Sequence, residues 1–281
     1  MRELSVSILK EKLTEAILHA SYDISSDIYE KVSSCAASDE SPVARDVLTR
    51  IRENYDIASR DRVAICQDTG MCVVFAEIGQ DVHFTDGFFG DAINEAVEKA
   101  YRDGYLRKSV VRDPLYDRVN TGTNTPAIVH TSIVPGDKVK LTVVCKGFGS
   151  ENMSRVGMLT PAMGEKGVID FVTDVVRNAG ANPCPPIILG VCIGGDFEQA
   201  ALMAKKMTAR PAGSHNENPK YAALEDVLME KVNALGIGPA GFGGNTTCLA
   251  INVAALPTHI AGMPVAVNVC CHCSRHAVVE I

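Results

Sequence analysis

The chain has 281 residues, 46% hydrophobic and 22% charged, with a formal net charge of −7 and a pI near 5.5. That apolar fraction supplies a substantial core, while the acidic balance, with no Lys/Arg block, argues against a nucleic-acid partner, because phosphate binding needs a basic face. The longest apolar runs, such as Ile187–Ile193, are far short of a membrane span, and the first residues lack the apolar core of a signal peptide, so the expected compartment is the cytoplasm and the ten cysteines are expected to be reduced.

Residues 4 to about 60 read as a helical subregion. Leu4, Val6, Ile8, Leu9, Leu13, Ala16, Ile17 and Ala20 recur at helical spacing, with Lys10, Glu11, Lys12 and Glu15 elsewhere. A shorter helix is expected around Ile28–Val32. Ser41-Pro42 opens another, with Val43, Val47, Leu48 and Ile51 on its apolar face. Val63–Ile65 and Cys72–Ile78 read as strands flanking the turn Gln67-Asp68-Thr69-Gly70. A helix follows from about Phe88 to Asp103.

Residues 105–126 are polar and turn-rich, and a structured loop of that length in a compact domain tends to be functional. Strands are expected at Ala127–Val134 and Lys138–Lys146, around the hairpin-type turn Pro135-Gly136-Asp137. A second special loop, Gly147–Asn152, precedes a helix at 164–179, a buried strand at Ile187–Ile193 and a helix at Phe197–Lys206. A loop at 208–220, a helix at 221–235, a glycine-rich turn at 236–244 and strands near 247–255 and 264–270 complete the chain. The expected architecture is mixed α/β: a helical N-terminal segment followed by a sheet-containing α/β unit, in one compact domain spanning 1–281.

Among the cysteines, Cys35, Cys145, Cys192 and Cys248 sit in helical or strand-like runs, where a free cysteine behaves as a small buried hydrophobe. Cys66 in Cys-Gln-Asp-Thr-Gly, Cys184 in Asn-Pro-Cys-Pro-Pro and Cys271 in Cys270-Cys271-His272-Cys273 sit instead in irregular, polar loops. Three thiolates from three distant loops leave one position open on a tetrahedral metal or an iron-sulfur cubane, the arrangement of a catalytic site. Structural zinc on Cys270 and Cys273 is the rival, but it lacks a second Cys-x-x-Cys pair.

The glycine runs at 190–195 and 236–244 fit neither the dinucleotide nor the P-loop pattern, and are better suited to bringing backbone amides close to a small anion or a cluster. Asp68, Arg107, Arg112, Arg118, His130, Glu151, Arg155, His259, Arg275 and His276 lie in or beside these loops and supply cations for carboxylates and groups for proton transfer.

Taken together, five motifs carry a resemblance: Cys66-Gln67-Asp68-Thr69-Gly70; Gly149-Ser150-Glu151-Asn152; Cys184-Pro185-Pro186 followed by Ile193-Gly194-Gly195; Gly236-Ile237-Gly238-Pro239; and Asn268-x-x-Cys271-His272-x-x-Arg275-His276. In order and over nearly the whole chain, they resemble the class I, iron-sulfur fumarate hydratases and their L-tartrate dehydratase relatives, specifically the α subunit of the two-subunit form. The resemblance implies a [4Fe-4S] cluster on Cys66, Cys184 and Cys271, with Asp68 moving a proton, Arg107 and the Gly149 amide holding a small dicarboxylate, and His259 orienting substrate or water. It implies reversible hydration of fumarate to (S)-malate, or the same chemistry on L-tartrate or a mesaconate-type substrate.

It also implies a β subunit that completes the site and an (αβ)2 assembly. Cys192 and Cys270 stand where the family pattern has glycine and glutamine, so Cys192, Cys270 and Cys273 are competing ligands. A non-catalytic iron-sulfur or zinc protein is the reading from another class; an electron carrier would call for four clustered cysteines and no substrate cations.

Overall fold

A computed structural model describes all residues from Met1 to Ile281. In chain order the first elements are β1 (Arg2–Ser5), α1 (Val6–Tyr22), α2 (Ser26–Ser38), α3 (Pro42–Asp61), β2 (Met71–Gly79), β3 (Val82–Thr85), α4 (Phe89–Asp103), β4 (Ile128–Val134) and β5 (Val139–Lys146). There follow α5 (Phe148–Glu151), β6 (Arg155–Leu159), α6 (Gly164–Ala179), β7 (Ile187–Gly195), α7 (Phe197–Met207), α8 (Pro219–Asn233), β8 (Cys248–Thr258), β9 (Met263–Cys270) and β10 (His276–Glu280). The chain is mixed α/β and divides into two compact units. Residues 1–25, 55–148 and 275–281 form the first, residues 26–54 and 149–274 the second, and one boundary falls inside α3.

In the first unit the sheet runs in the order β10-β5-β2-β4, with β2 parallel to β4 and antiparallel to β5. Its core is apolar from both sides: Leu9, Leu13 and Ile17 of α1 and Ile93, Val97 and Tyr101 of α4 pack with Val74, Leu141 and Val143 of the strands. Strands β2 and β5 are buried along nearly their whole length, with Val73, Val74, Phe75, Leu141, Val143 and Val144 among the buried residues.

Several expectations are corrected here. Leu4 does not open the first helix: Arg2–Ser5 is a strand parallel to β3, and the helix starts after Ser5, whose side chain accepts from the Ser7 amide. Val63–Ile65 forms no strand; the segment turns through Arg62 at φ 54°. Pro135-Gly136-Asp137 does not close a hairpin, because β4 and β5 both pair with β2, which lies between them. On α3 the buried face is Ala44, Leu48, Tyr55 and Ala58, while Val43 is exposed.

The second unit carries a sheet in the order β6-β9-β7-β8, where β7 is parallel to β8 and antiparallel to β9. One face is covered by α6 and α8 through Val172, Val176, Leu228 and Val232. On the other, α7 lies so close to β7 that a Cβ at Gly190 would stand 1.9 Å from the Ala204 carbonyl oxygen. Only glycine permits that approach.

A buried carboxylate ties the α2–α3 junction to the glycine-rich segment of the same unit. Asp39, 3% exposed, accepts from the Ser41 amide at 3.0 Å on one oxygen, and from the Asn245 amide at 3.0 Å and the Thr246 hydroxyl at 2.7 Å on the other. Burial pushes its pKa up, but these hydrogen bonds together outweigh it and hold the carboxyl below the usual range. A depressed folded-state pKa contributes stability that is complete above the unfolded value, about 3.9, and is lost as pH falls through the folded value. Asp39→Asn, which turns one acceptor into a donor facing donors, should cost about 1–3 kcal/mol at neutral pH. Thermal melts from pH ~7 to ~3 should show the wild type losing this advantage in acid and the variant a flatter profile; parallel profiles would contradict the assignment.

Candidate active site

In the first unit Asp68 and Arg107 belong to one hydrogen-bonded network. Asp68 sits on the turn before β2, and its carboxylate accepts from two backbone amides: Gly70 at 3.0 Å on Oδ1 and Phe148 at 2.8 Å on Oδ2. Arg275, 2% exposed, donates through Nη1 to the Asp68 carbonyl. Gly70 has φ +79°, and a Cβ there would lie 2.6 Å from the Lys146 carbonyl carbon, so the turn is pressed against the end of β5. Tyr101, fully buried in α4, directs its hydroxyl at the Thr69 and Gly70 carbonyls at 2.8 and 3.0 Å.

Arg107 belongs to the same network through its backbone. Its carbonyl accepts from the Thr69 hydroxyl at 2.8 Å, while its exposed side chain enters no ion pair within the chain. The long loop 105–126 is ordered by pairing across itself: Arg112 N–H to the Val119 carbonyl, Thr121 N–H to the Val110 carbonyl, and the buried Asn124 side chain accepting from the Ser109 amide. Sequence reading places Asp68 and Arg107 but misses Tyr101 and Asn124, since a tyrosine on an apolar helix face reads as core and an asparagine among Thr and Gly as a turn.

The second unit holds Cys184, Cys271, Gly149 and His259. Cys184 has φ +55°, a conformation a side-chain-bearing residue adopts rarely, and its side chain is exposed. Cys271 follows the end of β9 and is half-buried. Ile188 pairs with Cys270 across β7 and β9, so Cys184, just before β7, and Cys271, just after β9, lie at the same end of the sheet. His259 does not join them: Gly195 pairs with Thr258, which puts His259 past the opposite end of the nine-residue β7, roughly 26 Å away at about 3.3 Å per residue. Gly149 lies on the short helix α5 with an exposed backbone. Glu151, at the end of α5, pairs with Lys205 and accepts from the Asn268 side chain at 3.1 Å, so its carboxylate fastens this loop to α7 and β9.

Of the four cysteines expected to be buried hydrophobes, Cys145, Cys192 and Cys248 are buried, whereas Cys35 is half-buried. Cys35, Cys145, Cys192 and Cys248 lie in α2, β5, β7 and β8. Cys192 is fully buried mid-strand between Ala254 and Ala266, and burial pushes its thiol up to about 11. Burial takes Cys248 up to about 12. Cys66 and Cys271 are half-buried and Cys184 exposed, all three outside regular elements. No three His, Cys, Asp or Glu side chains converge as a single-ion site, and no helix is long and apolar enough to cross a membrane.

Comparison with known proteins defines the class: the chain is that of a hydro-lyase. The fumarate hydratase (Fumerase) profile matches residues 10–280. A Methanocaldococcus jannaschii protein, provisionally named L(+)-tartrate dehydratase subunit alpha, is 33% identical over 277 residues, covering 97% of each chain. The L(+)-tartrate dehydratase subunit alpha of Escherichia coli K12 is 31% identical over 272 residues, covering 94% of this chain and 89% of its own. This protein belongs to the fumarate hydratase (Fumerase) family.

Because the thiolate is the reactive species, the metal-free protein treated with a maleimide at pH ~7.5 should be modified at Cys184 well before Cys192 and Cys248. Peptide mass mapping reads the order. Comparable rates at all three would contradict the burial assigned to the strand cysteines.

Proposed function

We propose that this chain is the α subunit of a [4Fe-4S]-dependent hydro-lyase that hydrates fumarate reversibly to (S)-malate in the cytoplasm. The observation that carries the reading is the tie between Asp68 and Arg107: a carboxylate held by two amides, and an exposed cation fastened by its own carbonyl to the next residue, Thr69. A second reading, the same reaction on L-tartrate, is favoured by the names of the relatives. The substrates differ by one hydroxyl, a difference that a few pocket atoms decide.

Cys66, Cys184 and Cys271 would hold the cluster; their accessible positions in irregular loops suit them as ligands where the buried strand cysteines are not available. Three thiolates from separate loops would suit such a cluster without converging on a single ion. When bound, the cluster supplies a Lewis acid for the substrate hydroxyl. Asp68 has further lone pairs beyond the two its amide donors occupy, and we assign it the proton on the carbon next to the hydroxyl-bearing one. Arg107 offers a planar, two-point grip for the distal carboxylate, with the Gly149 amide as an added donor.

His259 is assigned to the site of a second copy. The far end of the sheet is out of reach of Cys184 and Cys271 in its own chain, so a histidine that orients substrate must act across an αα contact. That supports an (αβ)2 assembly, with the β subunit, a partner implied by the relatives' names, completing each site.

Two experiments test these assignments. The chain, expressed anaerobically with its β subunit, should contain about four irons and convert malate to fumarate, followed in the ultraviolet. Activity should decline in air and return with ferrous iron and reductant. Consumption of tartrate alone would transfer the reaction to the second reading, and an iron-free active enzyme would overturn both. In the second experiment, His259→Asn and Asp68→Asn α chains, each inactive alone, are co-expressed with β. A hybrid dimer regains one intact site, so activity should recover to about a quarter of wild type in a two-fold assembly. No recovery would place His259 in its own chain's site; full activity of His259→Asn alone would remove it from catalysis.

A further inference from the structure

We infer that Thr69 and Asn124 are positioning residues that fix Arg107 relative to Asp68, forming a two-strut clamp whose purpose is substrate binding. The inference rests on the roles proposed above for Asp68 and Arg107. One strut is the Thr69 hydroxyl, which donates to the Arg107 carbonyl at 2.8 Å. The other is the Asn124 side chain: Oδ1 accepts from the Ser109 amide at 2.7 Å, and Nδ2 donates to the Gly70 carbonyl at 3.2 Å. The struts therefore join positions 107 and 109 to positions 69 and 70, immediately after Asp68.

Both side chains are sealed from water, Thr69 at 1% exposure and Asn124 at 0%. In such surroundings a side-chain hydrogen bond has no competing solvent and an unmade one is costly. Asn124 also holds φ +61°, a backbone state asparagine tolerates better than most residues. Tyr101 braces the Thr69 and Gly70 carbonyls from α4.

One bond ends on the backbone carbonyl of Arg107 and the other on the amide of Ser109, two residues on; neither engages the guanidinium. Position is set at Cα while the charge stays open to a ligand, the division required of a cation that must be preorganised for a carboxylate. A loop held only for stability would have no need to be tied at the arginine itself.

The test uses the αβ enzyme with Thr69→Val, Thr69→Ser, Asn124→Gly (which keeps the positive φ) and Arg107→Ala. Thr69→Val and Asn124→Gly should each raise KM for the dicarboxylate about tenfold or more, as expected for a small misplacement of a binding group, with kcat changed less than about threefold and iron content intact. Thr69→Ser restores the hydroxyl and should restore KM. In the Arg107→Ala background the same substitutions should add nothing, because the group they position is gone.

Equal KM increases with and without Arg107, a loss confined to kcat, or failure of Thr69→Ser to restore KM would overturn the clamp. An Arg107→Ala enzyme with unchanged KM would instead overturn the substrate-binding role of Arg107, and the clamp with it. Should Asn124→Gly fail to assemble, the Thr69 pair decides the matter alone.

Discussion

The first unit is organised around a close approach of two backbones. The Asp68–Gly70 turn lies against the end of β5 with no room for a side chain at position 70. Burying a turn this way strands its carbonyls and amides away from water, and buried backbone polar groups must find partners. They find them in side chains: the Tyr101 hydroxyl, the Asn124 amide and the Arg275 guanidinium for the carbonyls, and the Asp68 carboxylate for the Gly70 amide. The demand for hydrogen bonds created by the turn is met by side chains from α4, the 105–126 loop and the C-terminal segment, so the turn ties these parts of the first unit together.

The second unit solves a different problem with strand direction. Because β7 and β9 run antiparallel, the entry to one and the exit from the other coincide. Cysteines far apart in sequence, Cys184 and Cys271, therefore arrive at one end of the sheet without a special loop to carry them. The glycines at the other end of β7, Gly194 and Gly195, take positive φ values where the strand meets α7. The same strand pairing that gathers the cysteines puts His259 out of their reach.

Much of this is legible in the sequence, and the exceptions have physical reasons. Strands buried on both faces, such as β2 and β7, and amphipathic helices, such as α4 and α6, announce themselves through apolar runs and spacing. The short strands β3, β6 and β10 do not, because part of each is exposed and pairing, not composition, makes them strands. Pro135-Gly136-Asp137 does mark a turn, but a local turn signal cannot reveal that β2 separates the two flanking strands. At the site, motif residues such as Asp68 stand out individually. Their supports do not, since the role of Asn124 depends on two backbone groups that are distant in sequence.

Strand β10 pairs with β5 across residues 149–274 of the second unit, and Arg275, just before it, reaches back to Asp68. During synthesis the ribosome therefore releases every residue of the second unit before the first can close its sheet. Contacts of such long sequence separation form late and slowly. The growing chain can complete the loops at 184 and 271 while the Asp68 turn still lacks the guanidinium that caps its carbonyl, so that turn is among the last parts of the first unit to be finished.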